Sequence, residues 1–217
     1  TARLAVIKNM IFATPDLCGI IAFPDERGIL TEAFFHEILV PVVLIGKEIK
    51  GLKADVFSPD MFDGGYQAAR HLIKNGHEHI AYMGNSKDLS TWRFEGYQKA
   101  LRDYGMEENK RLAFPNLNTE VEVFQVMDKM MAEEVPPTGI VVANSSPIVP
   151  LLKYLNAHNI VIPKDISVIS LNDFEWAALL APELTCIDKQ PLECASLAIK
   201  TLLKRIKGEE ENYQKVT

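Results

Sequence analysis

Residues 63–105, DGGYQAARHLIKNGHEHIAYMGNSKDLSTWRFEGYQKALRDYG, constrain the fold more than any other stretch. They read as helix, strand, loop, helix. Asp63 is a natural N-cap, and Gly64 and Gly65 let another backbone pass close by. Gly65, Ala69, Leu72 and Ile73 recur on one helical face. Gly76 is placed to stop that helix in a left-handed conformation. Residues 79–84 form a short apolar strand and residues 85–90 a polar loop. A second helix opens near Ser90, with Phe94, Tyr97, Leu101 and Tyr104 as its buried stripe and Gly105 as its stop. Arg93 is the odd residue, a cation in the first turn, where it opposes the helix dipole. It is either a solvated side chain or one aimed from a strand-to-helix loop at something in a cleft.

The rest of the chain keeps the alternation. Residues 1–13 read as helix, 18–23 as strand, 24–28 as a polar turn and 29–38 as a less regular helix. Residues 41–45, 55–57, 112–114, 138–143, 166–171 and 184–188 read as strands. Residues 121–131 read as helix behind the candidate cap Thr119. Residues 151–158 do too, with a start blurred by Pro147 and Pro150. Residues 192–206 form a long helix whose inner face is Ala195, Ile199, Leu202 and Ile206. Strands alternating with helices call for parallel sheets covered on both faces, an α/β fold. The acidic run at 209–211 reads as solvated loop.

Charge and composition exclude several function classes. The chain carries a net charge of −6, which argues against its gripping nucleic acid by itself, since phosphate backbones demand clustered cations. No apolar run approaches the roughly 20 residues of a membrane span, and residues 1–13 lack the pattern of a secretory signal. Cys18, Cys186 and Cys194 sit in apolar patterns at no ligand spacing and read as buried thiols in a reducing cytosol. His71, His77 and His79 cluster, but His77 follows a helix C-terminus, where an imidazolium suits the dipole, so no metal is expected. No phosphate loop, dinucleotide fingerprint, nucleophile elbow or zinc-protease motif occurs. No catalytic group and no cofactor are expected.

Several motifs together carry a resemblance. GGYQAARHLIKNGHEHIAYMG and RFEGYQKALRDYG are joined, in order, by CGIIAF, PVVLIG, TGIVVANSS, IVIPKDISVISLND and APELTCIDKQPLECA. This series resembles the effector-binding core of the LacI/GalR family of bacterial transcription regulators, a periplasmic-binding-protein-like fold. The resemblance spans nearly the whole chain. It implies two Rossmann-like lobes with effector between them: residues 1–85 and 190–207 in the first lobe, 86–189 and 208–217 in the second. It also implies that the opening part of the first lobe and the DNA-binding head lie upstream of these residues. Operator DNA is then expected to be reached only through that absent domain. In the family the cores pair as homodimers, and the apolar excess at 29–38 and at Leu179-Leu180 marks candidate interfaces.

The same resemblance assigns a site. Arg93 matches the Arg of R-x-x-GY. Asn144 matches the Asn of an Ala-Asn-Asp turn. Asn172 stands where the family's first Asp of an Asp-Asp pair binds ligand. By position alone, Asn144 and Asn172 end strands and Arg93 follows one, so all three belong at the carboxyl edge of one sheet; read singly, each Asn is a turn or cap residue. Phe23, ending its own strand, is a fourth candidate through its ring face, or else a core residue. The chain departs from the family at Ser145 for Asp, Ser170 for Gly, Asn172 for Asp and Ala195 for Gly. Asn in place of Asp changes the hydroxyl pattern the site can take, and losing the carboxylate beside Arg93 favours an anionic effector. The expected function is the ligand-sensing and dimerising core of a cytoplasmic regulator of this kind, for a sugar, sugar derivative or nucleoside. The alternatives are a solute-binding receptor for a sugar transporter and an α/β enzyme.

Overall fold

The computed structural model describes residues 2–24, 28–84, 89–106, 110–209 and 212–217. Residues 25–27 of the expected polar turn at 24–28, most of the loop at 85–90, and Glu210 and Glu211 fall outside the described residues. The chain divides into two units, residues 1–59 with 190–217, and residues 60–189.

The first unit is built on a four-stranded parallel sheet. Its strands are β1 (Ile20–Ala22), β2 (Val42–Ile45), β3 (Asp55–Phe57) and β9 (Lys215–Val216), in the order β1-β2-β3-β9. Alternate residues of these strands face opposite layers, as the two-residue period of a strand requires. Ala22, Leu44 and Val56 pack with Phe34 and Phe35 of the short helix α2 (Glu32–Phe35) and with Leu4, Ile7 and Ile11 of α1 (Ala2–Phe12). Val43 and Phe57 pack with Cys194, Ala198 and Leu202 of α7 (Pro191–Ile206).

The second unit holds a five-stranded parallel sheet in the order β5-β4-β6-β7-β8. Its strands are β4 (Ile80–Met83), β5 (Ala113–Phe114), β6 (Gly139–Val142), β7 (Ser167–Ser170) and β8 (Thr185–Cys186). Ile80, Tyr82, Val141 and Ile169 face helices α3 (Met61–Lys74) and α4 (Leu89–Asp103). Ala81, Met83, Ile140, Val142 and Val168 face α5 (Glu120–Met131) and α6 (Ser145–Ala157). Burial on both faces explains why these strands read as continuous apolar runs. Thr119 caps α5 in a full capping box with Glu122. Gly76 and Gly105 stand at φ 85° and 68°, as helix stops in the left-handed region do.

Several expectations are corrected. The boundary after residue 85 is misplaced: α3 and β4 belong to the second unit, because α3 crosses α4 at backbone distance. A Cβ at Gly65 would lie 1.9 Å from the Arg93 carbonyl oxygen, and one at Gly96 would lie 2.0 Å from that of Phe62. The tail 208–217 belongs to the first unit. There the Val56 N–H donates to the Gln214 carbonyl, the Gln214 N–H donates to Asp55 Oδ1, and β9 extends the sheet. The cap of α3 is Asp60, whose Oδ1 accepts from the Asp63 N–H; Asp63 is inside the helix. The inner face of α4 runs through Arg93, Gly96, Tyr97, Ala100 and Leu101, and Tyr104 is exposed. On α7 the inward line is the buried Ala198 with the partly buried Cys194 and Leu202, and Ile199 and Ile206 are exposed. The helix expected over 29–38 shrinks to one turn. α6 begins at Ser145, since Pro147 occupies a first-turn position whose N–H has no helical partner to lose. Cys18 is exposed, lying in loop before β1 begins.

Candidate functional site

The order β5-β4-β6-β7-β8 reverses direction between β4 and β6: the chain leaves β4 for β5 on one side, then returns to add β6 on the other. At such a reversal the connections leave in opposite directions, and a crevice opens at the carboxyl ends of the two strands. The register continues past the strands there. The Ala143 N–H donates to the Met83 carbonyl at 2.7 Å, Leu171 to Val142 at 2.9 Å, and Ile187 to Ser170 at 2.9 Å. Asn144, Asn172 and Asp188 therefore stand level on neighbouring strands along one edge, with Lys189 one residue beyond Asp188 and Gly84 at the end of β4. A Cβ at Gly84 would lie 3.2 Å from Asn144 Oδ1, so only glycine keeps that amide's present position without adjustment.

Arg93 reaches this edge from α4, where it is the fifth helical residue. It is only 5% exposed. Its Nη1 donates to the Ala143 carbonyl, one residue before Asn144, and its Nε and Nη2 point to Met61 Sδ at 3.3 and 3.1 Å. A buried guanidinium needs acceptors, and the carbonyl where β6 ends supplies one. Arg93 also acts on the buried Tyr82, whose hydroxyl burial holds well above the usual phenol range while the guanidinium pulls it down.

Asn172 is held by a turn of its own. Ser170 Oγ donates to the Asn172 carbonyl at 2.7 Å, and the Asn172 N–H donates to that hydroxyl at 3.1 Å. Ser170 thus fixes the backbone of Asn172. Asn172 Oδ1 accepts from Lys189 Nζ, a residue that sequence reasoning missed. Burial pulls the Lys189 ammonium down to about 8, and the nearby Arg93 charge adds to this. Lys189 lies one residue beyond Asp188, which stands level with Asn172 in the β7–β8 register, so the strand-end rule, extended by one strand and one residue, reaches it.

Arg93, Asn144, Asn172 and Lys189 are thus brought to one edge of the second unit. Phe23 belongs to the first unit, at the carboxyl end of β1, and its ring is 68% exposed rather than in a core. His77 Nδ1 lies 2.9 Å from Thr138 Oγ1, and burial first, then His71, lowers its basicity. Among the described residues no group of three or more His, Cys, Asp or Glu is placed to hold a metal ion. Neither is any helix among them long and apolar enough to cross a membrane.

The fold and this edge define a two-unit α/β binding core, and comparison with known proteins agrees. The chain belongs to the family of periplasmic binding protein-like domains, whose model matches residues 69–217. One relative is the HTH-type transcriptional repressor PurR of Glaesserella parasuis serovar 5. It is 28% identical over 195 residues, which cover 89% of this chain and 57% of that protein. The chain thus spans about half the length of the curated relatives it matches. Among solved structures, a LacI-family transcriptional regulator from Enterococcus faecium with bound ribose superposes with a TM-score of 0.78. Its identity is 23%, covering 100% of this chain and 79% of that one. A putative transcriptional regulator LacI from Bacillus cereus subsp. cytotoxis superposes at 0.75 with 24% identity, covering 97% of this chain and 75% of that one.

Proposed function

We propose that these residues are the ligand-sensing core of a bacterial transcription regulator that binds a small sugar-like effector, a sugar, sugar derivative or nucleoside. The observation that carries this reading is the convergence of Arg93, Asn144 and Asn172 on the carboxyl edge where the strand order reverses. These groups suit polyol recognition: the guanidinium donates only, and each amide both donates and accepts. The neighbour with bound ribose supports a sugar-like ligand, and the PurR relatives, named as repressors, favour a regulator over a transporter receptor. Phe23 would offer a sugar its exposed ring face. The role is binding, not catalysis.

Effector would act by shifting the population of core conformations, and so the placement of two DNA-binding heads on an operator. Those heads would belong to a domain outside these residues, and the protein would work as a cytoplasmic homodimer. Leu39 and Leu179, almost wholly exposed, are candidate dimer contacts, each on its own unit.

The test is a thermal-shift screen of the chain against sugars, sugar phosphates, sugar acids and nucleosides. One chemical class should raise Tm in a saturable way, and Asn172→Ala should weaken that response. A screen with no saturable response from any class contradicts the reading.

A further inference from the structure

We propose that the effector is an acid, a sugar phosphate or sugar carboxylate whose anionic group is held by Lys189 together with Arg93. The inference deepens the proposed function and rests on it. Lys189 Nζ donates to the neutral amide of Asn172, not to a carboxylate. Arg93 Nη1 donates to the Ala143 carbonyl on the next strand over. Two cationic side chains from separate elements, α4 and the segment after β8, thus reach the carboxyl edge of β6 and β7, near enough for the Arg93 charge to act on Lys189. Asp173, next to Asn172, is exposed and acts on the Cys186 thiol, so it does not account for the place of Lys189.

A lysine kept for packing alone is poorly served here. Burial and the Arg93 charge both oppose its ammonium, and an apolar side chain of that length would fill the space without the penalty. An anion reverses the sign of the Arg93 effect by bridging the two cations, and its hydrogen bonds to them are of the stronger, charge-assisted kind. Arg93 offers a planar fork and Lys189 a point charge, a combination that suits phosphate or carboxylate oxygens. The amides of Asn144 and Asn172 are left to read the hydroxyls of the attached sugar.

The test is isothermal titration of the full chain with matched pairs at about 0.15 M ionic strength. The pairs are ribose with ribose 5-phosphate, glucose with glucose 6-phosphate, and glucose with gluconate. At least one acidic member should bind about tenfold or more tightly than its neutral partner, and the phosphate and carboxylate arms tell which anion the site takes. Lys189→Met should abolish that preference and Lys189→Arg should keep it. Neutral sugars binding as well as their acidic partners, or a preference that survives Lys189→Met, overturns the inference and leaves the proposed function standing. Inorganic phosphate binding as tightly as the sugar phosphate also overturns it, since no sugar would then be recognised. Binding by no member of the panel, neutral or acidic, counts against both.

Discussion

A Cβ on Gly65 would lie 1.9 Å from the carbonyl oxygen of Arg93. The helix that opens the second unit therefore touches, backbone to backbone, the residue that delivers a guanidinium to the site. The neighbouring glycine is different: a Cβ on Gly64 would meet only Ile187 Cγ2, at 3.9 Å. Gly65→Ala should destabilise the protein by at least about 3 kcal/mol, because neither helix backbone can yield as a side chain would. Gly64→Ala should be neutral or stabilising by up to about 1 kcal/mol through helix propensity. Urea unfolding of the two variants checks the contrast; similar costs at both positions would show that the helices do not cross so closely.

Asp55 anchors the first unit. It is fully buried, accepts from Arg205 Nε and Nη2 at 3.0 Å each, and accepts from the Gln214 N–H at 3.0 Å. Arg205 in turn lies over the Tyr213 ring, 4.6 Å from its centroid. Asp55→Ala should cost about 3–5 kcal/mol, the usual penalty for breaking a buried ion pair from one side. Amide exchange should rise most in residues 212–217, because the carboxylate joins β9 to the body of the sheet. Unchanged exchange there would mean that β9 is held by its strand pairing alone.

How far the sequence discloses this molecule depends on which forces leave a local trace. Buried parallel strands do: IAYM, GIVV and SVIS are readable because both of their faces are covered. The glycines of GGY are readable as a place of close approach, but the sequence does not say that the helix they face is the one carrying RFEGY, and the expected unit boundary was misplaced on that account. β9 left no trace, since Lys215-Val216 has no pattern of its own and depends on Asp55, far away in sequence. Asn144 and Asn172 are legible as strand-end residues, which by position alone are turns or caps; the resemblance is what assigns them to a site. Lys189 directly follows the strand expected over 184–188 but has no counterpart in the resemblance, and its partial burial comes from tertiary packing that the sequence does not display.

The ionisation of Lys189 gives a pH test. The folded-state value is near 8, against an ordinary value of 10.5. Between those values the unfolded chain binds more protons than the folded one, so this group makes stability rise with pH over that window. Below it the charged form is a standing cost to the fold. Ligand-free Lys189→Met should therefore be at least as stable as the wild type at pH 7, and the wild type should gain on it from pH 8 to 10.5. Parallel stability–pH curves for the two proteins would contradict this.

The most direct test of the account is the stabilisation that effector confers on the wild type and on Arg93→Ala. The variant removes a donor from the Ala143 carbonyl and should itself lose about 1–3 kcal/mol, so each protein is compared with its own ligand-free form. At a hundredfold excess of effector over its dissociation constant, the wild type should gain about 2.7 kcal/mol. A charge-assisted hydrogen bond lost from the site weakens binding about tenfold to a hundredfold. The variant at the same effector concentration should then gain only about 1.4 to 0.4 kcal/mol. Equal gains in the two proteins would show that Arg93 only holds helix to strand, and that the effector binds elsewhere.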